Sequence, residues 1–304
     1  MGSADFGIPA LERLMLKHSI VGVVSTPAKP KGRGLKLFDS PVTEFARAHG
    51  LGPIITPEKL KDPSFVAALT NLKPDLFVVV AYRILPREVF TIPTFGTVNI
   101  HASLLPKFRG AAPIHRAIEA GEKETGVTIF RIDEGIDTGE ILARERTPIG
   151  EEETTPQLYE RLSQLGAELL ERVLDKMEQG SIEPLAQDEQ LVSKAPKLSR
   201  EEAHVQWSLT AEQIYNKIRA FKPFPGIFFL LGERKISIEW ATPVDQNSAE
   251  AAPGEVIEVN RDYFNIQCGQ GALRVTEVKP EGKKNMSVQA FLLGTTLVKG
   301  TVLQ

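Results

Sequence analysis

The most informative stretch of the sequence is Val98-Asn99-Ile100-His101-Ala102-Ser103-Leu104-Leu105-Pro106. It is typical of a short buried strand that ends and continues as a loop. Side chains two apart on an extended backbone point to the same face, so Asn99 and His101 lie side by side at the strand's carboxyl end. An amide donor and an imidazole in this position are suited to holding an oxyanion and moving a proton. For an isolated Asn-x-His, a satisfied polar pair is the commoner explanation.

The segments before this stretch alternate between apolar strands and amphipathic helices. Residues 19–25 and 76–81 are near-continuous apolar runs, as expected of strands buried on both faces. Residues 9–17 and 41–49 carry apolar side chains at helical spacing. This alternation predicts an α/β fold with a doubly wound, mostly parallel sheet. Ligands of such sheets bind beyond the carboxyl ends of the strands, where Tyr82 also falls.

The pattern after residue 124 completes this domain and then changes. Residues 126–132 and 141–147 are predicted strands that can pair as a hairpin, and a long helix beginning at Thr155 has one apolar face. We place the first domain at 1–180 and a polar linker at 181–203. The remaining residues, 204–304, contain about five predicted short strands, which suits a small β-barrel of the oligonucleotide-binding (OB) type.

The composition is that of an ordinary globular protein of about two domains, with 304 residues, 42% hydrophobic and 25% charged. No apolar run is long enough to span a bilayer, no signal peptide is recognisable, and Cys268 is the only cysteine. We therefore expect a cytoplasmic protein with no membrane partner. The net charge of −3 leaves any nucleic-acid partner dependent on local basic patches. The loop 26–37, rich in Pro, Gly and basic residues, is one such patch, with a merely solvated loop equally compatible.

The first residues, Met1-Gly2-Ser3-Ala4-Asp5-Phe6, are typical of a loop that joins a strand to the following helix. In a doubly wound domain an apolar strand precedes such a loop. We therefore expect Met1 to be an internal methionine, with the natural start roughly ten residues upstream, the length of a strand and its lead-in. Without that strand its neighbours would lack partners, at about 1–3 kcal/mol for each buried backbone pair lost. Low stability and low activity of the chain as given are the expected result.

Two motifs together resemble the active-site signature of the folate-dependent formyltransferases. They are Asn99-x-His101-x-Ser103-Leu104-Leu105-Pro106 and, downstream, Gly135-Ile136-Asp137-Thr138-Gly139. The resemblance covers the whole chain and is closest to the branch that formylates an aminoacylated tRNA. It implies transfer of the formyl group of 10-formyltetrahydrofolate to the amino group of methionyl initiator tRNA, for translation initiation.

The resemblance also implies roles for individual residues. Asn99, His101 and Asp137 would be catalytic, with the first two stabilising an oxyanion and Asp137 pairing with His101 and accepting the amine proton. No metal is needed for this chemistry. The folate cosubstrate would lie against seven residues at the strand ends: Tyr82, Ile84, Leu85, Ser103, Leu104, Leu105 and Pro106. Pterin recognition in this family is largely by backbone groups, so side chains predict it poorly.

The tRNA would be held by basic residues from both domains. The residues that the resemblance implies are Lys31, Arg33 and Lys36 in the loop after the second strand, and Lys197, Lys283 and Lys284 further on. We expect a monomer that has initiator tRNA as its macromolecular partner.

Three alternatives remain open from the sequence. A formyltransferase for a small amine, of the glycinamide-ribonucleotide type, would share the catalytic residues but normally lacks the basic loop and the second β domain. A formyl-folate hydrolase or dehydrogenase would ordinarily carry a further long domain. An RNA-binding protein without catalysis is disfavoured because Asn99, His101 and Asp137 are all present.

Overall fold

The computed structural model describes residues 1–31, 36–246, 248 and 250–304. Within it the chain divides into two compact units, each built from three segments. The first unit comprises Met1–Pro113, Glu124–Pro148 and Leu158–Ala195, and the second comprises Ile114–Lys123, Ile149–Gln157 and Pro196–Gln304. The first unit thus includes most of the segment predicted to be a linker. No helix among the described residues is long and apolar enough to cross a membrane.

The first part of the chain forms an α/β structure, as the alternating pattern predicts. Its helices are α1 (Ile8–Lys17), α2 (Pro41–Ala48), α3 (Pro63–Asn71), α4 (Arg87–Phe90), α5 (Pro113–Glu119) and α6 (Thr155–Glu178). Its strands are β1 (Val23–Val24), β2 (Lys29–Lys31), β3 (Lys36–Phe38), β4 (Ile54–Ile55), β5 (Phe77–Val80), β6 (Thr97–His101), β7 (Glu124–Arg131) and β8 (Ile141–Pro148).

The pairing of these strands is mixed. β1 runs parallel to β4, and β5 runs parallel to β6. β7 is antiparallel to both β6 and β8, so the predicted hairpin of β7 and β8 is confirmed. The Rossmann-like α/β class is confirmed, with its parallel part in the first hundred residues and an antiparallel edge after it.

Met1 and Gly2 connect β1 to β5 by backbone hydrogen bonds. Gly2 N–H donates to Val24 O at 3.0 Å, and Val80 N–H donates to Met1 O at 2.9 Å. A cavity of about 540 Å³ lies beside Met1, lined by residues of α1, the run 19–24, β5 and α6. The predicted strand 19–25 is too long, since only Val23–Val24 is a strand. The physical reason is that residues 19–22 face this cavity instead of a partner strand.

The basic segment predicted to be a loop contains a short hairpin. β2 and β3 pair antiparallel, with Lys31 opposite Lys36. A proline at position 30 and flanking lysines conceal these strands from a hydrophobicity pattern. Arg33 lies outside the described residues.

The second part of the chain is mostly β structure, and all five predicted strands are present. Its elements are α7 (Ala211–Ala220), β9 (Ile227–Leu231), β10 (Arg234–Val244), β11 (Val256–Val259), β12 (Phe264–Gln267), β13 (Ala272–Pro280), β14 (Met286–Ser287) and α8 (Val288–Leu292). The antiparallel sheet has the order β11-β12-β13-β10-β9, and β14 pairs with β13.

Residues 301–304 link the two edge strands of this sheet. Val256 N–H in β11 donates to Thr301 O at 2.8 Å, while Gln304 and Leu230 in β9 exchange hydrogen bonds of 2.6 and 3.1 Å. Leu303, between these contacts, is only 2% exposed. The C-terminal segment therefore satisfies backbone groups of both edges, which brings the sheet close to the predicted barrel.

Candidate active site

Strand β6 brings Asn99 and His101 to the carboxyl end of the parallel strands. It lies between β5 and β7, with Asn99 opposite Phe130 and His101 opposite Thr128. The intervening Ile100 is buried on the other face, as the period of a strand requires. His101 is only 6% exposed, whereas Asn99 is half-buried. The sequence prediction for this pair is therefore realised in the backbone geometry.

Both ring nitrogens of His101 face oxygen acceptors. Nε2 lies 2.9 Å from Phe108 O, and Nδ1 lies 3.6 Å from Asp137 Oδ2. A neutral imidazole donates from only one nitrogen, while an imidazolium donates from both. The His101 ring therefore lies between the Phe108 carbonyl and the Asp137 carboxylate.

Asp137 is held in a turn that other polar groups of the loop organise. Asp133 Oδ1 accepts hydrogen bonds from Gly135 N–H at 3.0 Å and from the Thr138 hydroxyl at 2.6 Å. Asp137 has a φ of +56°, in the left-handed region that Asp tolerates better than most residues. A Cβ at Gly139 would lie 1.7 Å from a backbone oxygen of β7, so only glycine fits there.

The carboxylate of Asp137 has one engaged oxygen and one without a partner. Oδ2 accepts a hydrogen bond from Gly110 N–H at 2.8 Å and is also the oxygen near His101. Among the described residues, nothing donates to Oδ1 and nothing contacts the side-chain amide of Asn99 within hydrogen-bond distance. These two groups are therefore available to a ligand, one as an acceptor and the other as a donor.

The seven residues predicted to contact folate differ in their exposure and in whether their polar side chains already have hydrogen-bond partners. Leu85, Ser103, Leu105 and Pro106 are buried, and Leu104 is half-buried. Polar side-chain groups are already occupied, since the Tyr82 hydroxyl donates to Ser25 O at 3.1 Å and the Ser103 hydroxyl donates to Lys107 O at 2.6 Å.

The backbone between Tyr82 and Pro86 has free hydrogen-bonding groups. Within the described chain, the N–H and C=O groups of residues 83–85 have no partner. The Ile84 side chain beside them is 69% exposed. An exposed apolar side chain next to unpaired backbone donors and acceptors suits a flat heteroaromatic ring. The 540 Å³ cavity contains none of the seven residues.

Several residues of this site were missed by sequence reasoning. Phe108 supplies a carbonyl to His101, Gly110 supplies an N–H to Asp137, and Gln187 donates to the backbone around Asp137. Phe108 and Gly110 follow the Ser103–Pro106 motif in the sequence, but both contribute backbone groups, which residue types do not reveal. Gln187 is one polar residue in an irregular run and carries no signal of its own.

The predicted tRNA-binding residues lie on different elements. Lys197, Lys283 and Lys284 are exposed in the second unit. Lys31 and Lys36 are at the ends of β2 and β3. In the described residues, no group of three or more His, Cys, Asp or Glu side chains is arranged to hold a metal ion.

Comparison with known proteins gives matches along the whole chain. The formyl transferase family matches residues 6–174, and the formyl transferase C-terminal domain matches residues 197–296. The chain is 40% identical to methionyl-tRNA formyltransferase of Citrifermentans bemidjiense, covering 100% of this chain and 95% of the relative. It is 43% identical to the enzyme of that name from Moorella thermoacetica, covering 100% and 97%.

Among solved structures, the chain is similar to HypX from Aquifex aeolicus in complex with tetrahydrofolic acid. The TM-score is 0.55 at 25% identity, covering 75% of this chain and 40% of the HypX chain. The chain therefore spans less than half of that longer protein.

Proposed function

This chain belongs to the methionyl-tRNA formyltransferase family, and from that premise we propose that Asn99, His101 and Asp137 carry out its formyl transfer. The acceptor is the amino group of methionyl-tRNA. The full-length relatives and the C-terminal domain match disfavour the small-amine formyltransferase, the formyl-folate hydrolase and the non-catalytic RNA-binding protein.

The three side chains have complementary tasks in this reaction. The unpartnered amide of Asn99 donates to the formyl oxygen, where negative charge develops as the amine attacks. His101 lies beside this site and, where it is protonated, adds a positive charge near the oxyanion. Asp137 Oδ1 accepts the proton that the amine loses as the new C–N bond forms, while Oδ2 stays bonded to Gly110 N–H. The bond between the formyl carbon and N10 of the folate then breaks, and N10 takes up the proton, so tetrahydrofolate leaves.

The formyl donor in this proposal is 10-formyltetrahydrofolate, which supplies an activated formyl group. The unpaired backbone groups of residues 83–85 and the exposed Ile84 support a pterin site there. The Tyr82 hydroxyl bonds to Ser25 O, which fixes the start of this loop. The similar HypX structure contains tetrahydrofolic acid, which supports a folate cosubstrate.

For the tRNA, we propose that Lys31, Arg33 and Lys36 engage the acceptor end and that the C-terminal domain, residues 204–304, contributes Lys283 and Lys284. Lys197 contributes from the preceding segment. Phosphate groups attract lysine and arginine side chains, and such contacts weaken as salt is raised. The activity belongs in the cytoplasm, where initiator tRNA is used, and we propose a monomer.

The 3.6 Å approach of His101 Nδ1 to Asp137 Oδ2 carries the catalytic proposal. We expect His101→Ala and Asp137→Asn to lower kcat for formylation by roughly a hundred- to ten-thousand-fold, the usual contribution of general acid–base catalysis. Binding of methionyl-tRNA should stay nearly unchanged. Turnover retained by both variants would refute the assignment.

A variant in the basic segment 26–37 separates tRNA binding from catalysis. Arg33→Ala should raise the KM for tRNA and leave folate binding unaltered. An unchanged KM for tRNA would remove Arg33 from the proposed contacts without affecting the catalytic assignment.

A further inference from the structure

The segment 185–195, predicted to be part of a linker, packs against the candidate active site. Leu185 and Ile141 exchange two backbone hydrogen bonds of 2.8 Å. At the other end, Ala195 is fully buried and its N–H donates to Arg109 O at 2.7 Å. Both ends of the segment are therefore anchored to the first unit, and its middle faces the turn after β7.

Gln187, in this middle part, bonds to two backbone carbonyls of the turn that carries Asp137. Its Nε2 donates to Asp137 O and to Gly139 O, both at 2.8 Å. Its Oε1 accepts from Arg109 Nε at 3.0 Å and from Nη2 at 2.8 Å. The orientation of the amide is fixed by chemistry, because the two carbonyls only accept and the guanidinium only donates.

Arg109 is itself immobilised, which makes it a firm support for Gln187. Its side chain is only 8% exposed, and it also binds the Glu189 carboxylate at 2.8 and 3.2 Å. The hydrogen bond from Arg109 lowers the pKa of Glu189, which keeps that partner ionised. A guanidinium held by an amide and a carboxylate has little rotational freedom.

The turn at Asp137 needs such support from outside. A left-handed φ at a residue with a Cβ is unfavourable and persists only where the surroundings over-determine it. Gly110 N–H holds the carboxylate, but within the described chain the Asp137 carbonyl is bonded only by Gln187. Loss of that bond frees the turn to rotate, which moves the carboxylate away from His101.

We infer that Gln187, supported by Arg109, is a positioning residue that holds Asp137 in its catalytic geometry. It touches no reacting atom and acts through the backbone of the turn. The inference rests on the catalytic role proposed above for Asp137. It adds residues of the segment 185–195 to the functional site of the first unit.

Matched Gln→Leu variants test this inference in the full chain. Gln187→Leu should lower kcat about ten- to a hundredfold, the usual effect of losing a group that orients a catalytic residue. The KM values for folate and tRNA should change little. Gln190→Leu, on the same segment with an exposed side chain, should behave as the unaltered chain does.

Gln187→Glu is a second variant that preserves the bond to Arg109. A carboxylate still accepts from the guanidinium but, when ionised, has no hydrogen to donate to the carbonyls of the turn. It should therefore show the same loss of kcat with KM retained. Normal kcat in both Gln187 variants would overturn the inference.

A double-variant cycle distinguishes positioning from a general structural role. If Gln187 acts only through Asp137, adding Gln187→Leu to Asp137→Asn should cause no further loss of kcat. A further loss of tenfold or more, or a loss accompanied by a raised KM, would refute positioning. Full turnover by Asp137→Asn alone would instead refute the proposed function, so the two failures are distinguishable.

Discussion

Short segments link strands in the first part of the chain and in the antiparallel sheet of the second part (the second sheet), and the two links differ in how closely they are packed. In the second sheet, residues 301–304 bond to both β9 and β11 and bury Leu303. In the first part of the chain, Met1 and Gly2 link β1 to β5, which belong to separate sheets, but a cavity of about 540 Å³ adjoins them. The link in the second sheet buries an apolar side chain, whereas the link between β1 and β5 lies beside open space.

The Met1 amino group shows the same difference. It lies in a partly buried position and donates to Val78 O at 2.6 Å. Burial lowers its pKa from 8.0 to about 5, because the charged form is poorly solvated there. Gln304, by contrast, is exposed. We conclude that the link between β1 and β5 is the weaker of the two links.

The largest effect on stability is expected from removing the link that residues 301–304 make between β9 and β11. Removing residues 301–304 deletes the buried Leu303 side chain and the hydrogen bonds to both edge strands, so the free energy of unfolding should fall by more than about 4 kcal/mol. Urea unfolding monitored by the fluorescence of Trp207 and Trp240 measures it.

Two single substitutions control for the truncation. Leu303→Ala should account for about 2–5 kcal/mol, whereas Val302→Ala, at a side chain that is 59% exposed, should change stability little. Equal effects of the two substitutions would contradict the closing role of this segment.

A smaller effect, a gain in stability, is expected from adding residues that fill the cavity between β1 and β5. Fusing five or six alternating Val and Ile residues before Met1 should fill the cavity and pair with β1 and β5. The free energy gained by burying their apolar side chains and forming backbone hydrogen bonds should exceed the cost of ordering them by about 3 kcal/mol. The readout is the urea midpoint and the Tm.

A Gly-Ser extension of the same length is the matched control for this fusion. It also removes the free Met1 amine but has no apolar side chains, so it should stabilise less. Identical midpoints for the two extensions would show that the cavity does not accept a strand.

The smallest predicted effect comes from titrating the Met1 amine. The unfolded chain binds a proton at pH below 8 that the folded chain does not bind until about pH 5. Stability should therefore fall as the pH is lowered through this window, by about 2 kcal/mol between pH 8 and pH 6.

Nα-acetylation isolates the contribution of this amine. The acetylated chain has no group to titrate at this position, so its stability should change less over the same pH interval. Equal pH dependence of the two chains would contradict the buried-amine account.

The features of the fold that could be predicted from the sequence are those that depend on residues close together in the chain. The strands β9 to β13 and the hairpin of β7 and β8 follow from hydrophobic runs separated by turn residues. Asn99 and His101 share a face because they are two apart on a strand. Such features need no knowledge of distant residues.

The remainder depends on contacts between distant parts of the chain. Gln187 reaches Asp137 across fifty residues, and residues 301–304 reach β9 across more than seventy. The left-handed φ of Asp137 is likewise imposed by its neighbours in space. Hydrophobic periodicity contains no information on such pairings, which is why the sequence indicated Asn99, His101 and Asp137 as candidates but not the residues that support them.

The bonds made by residues 301–304 have a consequence for synthesis of the protein. The edges of the second sheet cannot be joined until residues 301–304 have left the ribosome, so β9 and β11 emerge with open edges that can pair with other chains. Strand β9 therefore waits for the synthesis of about seventy further residues before its edge is covered.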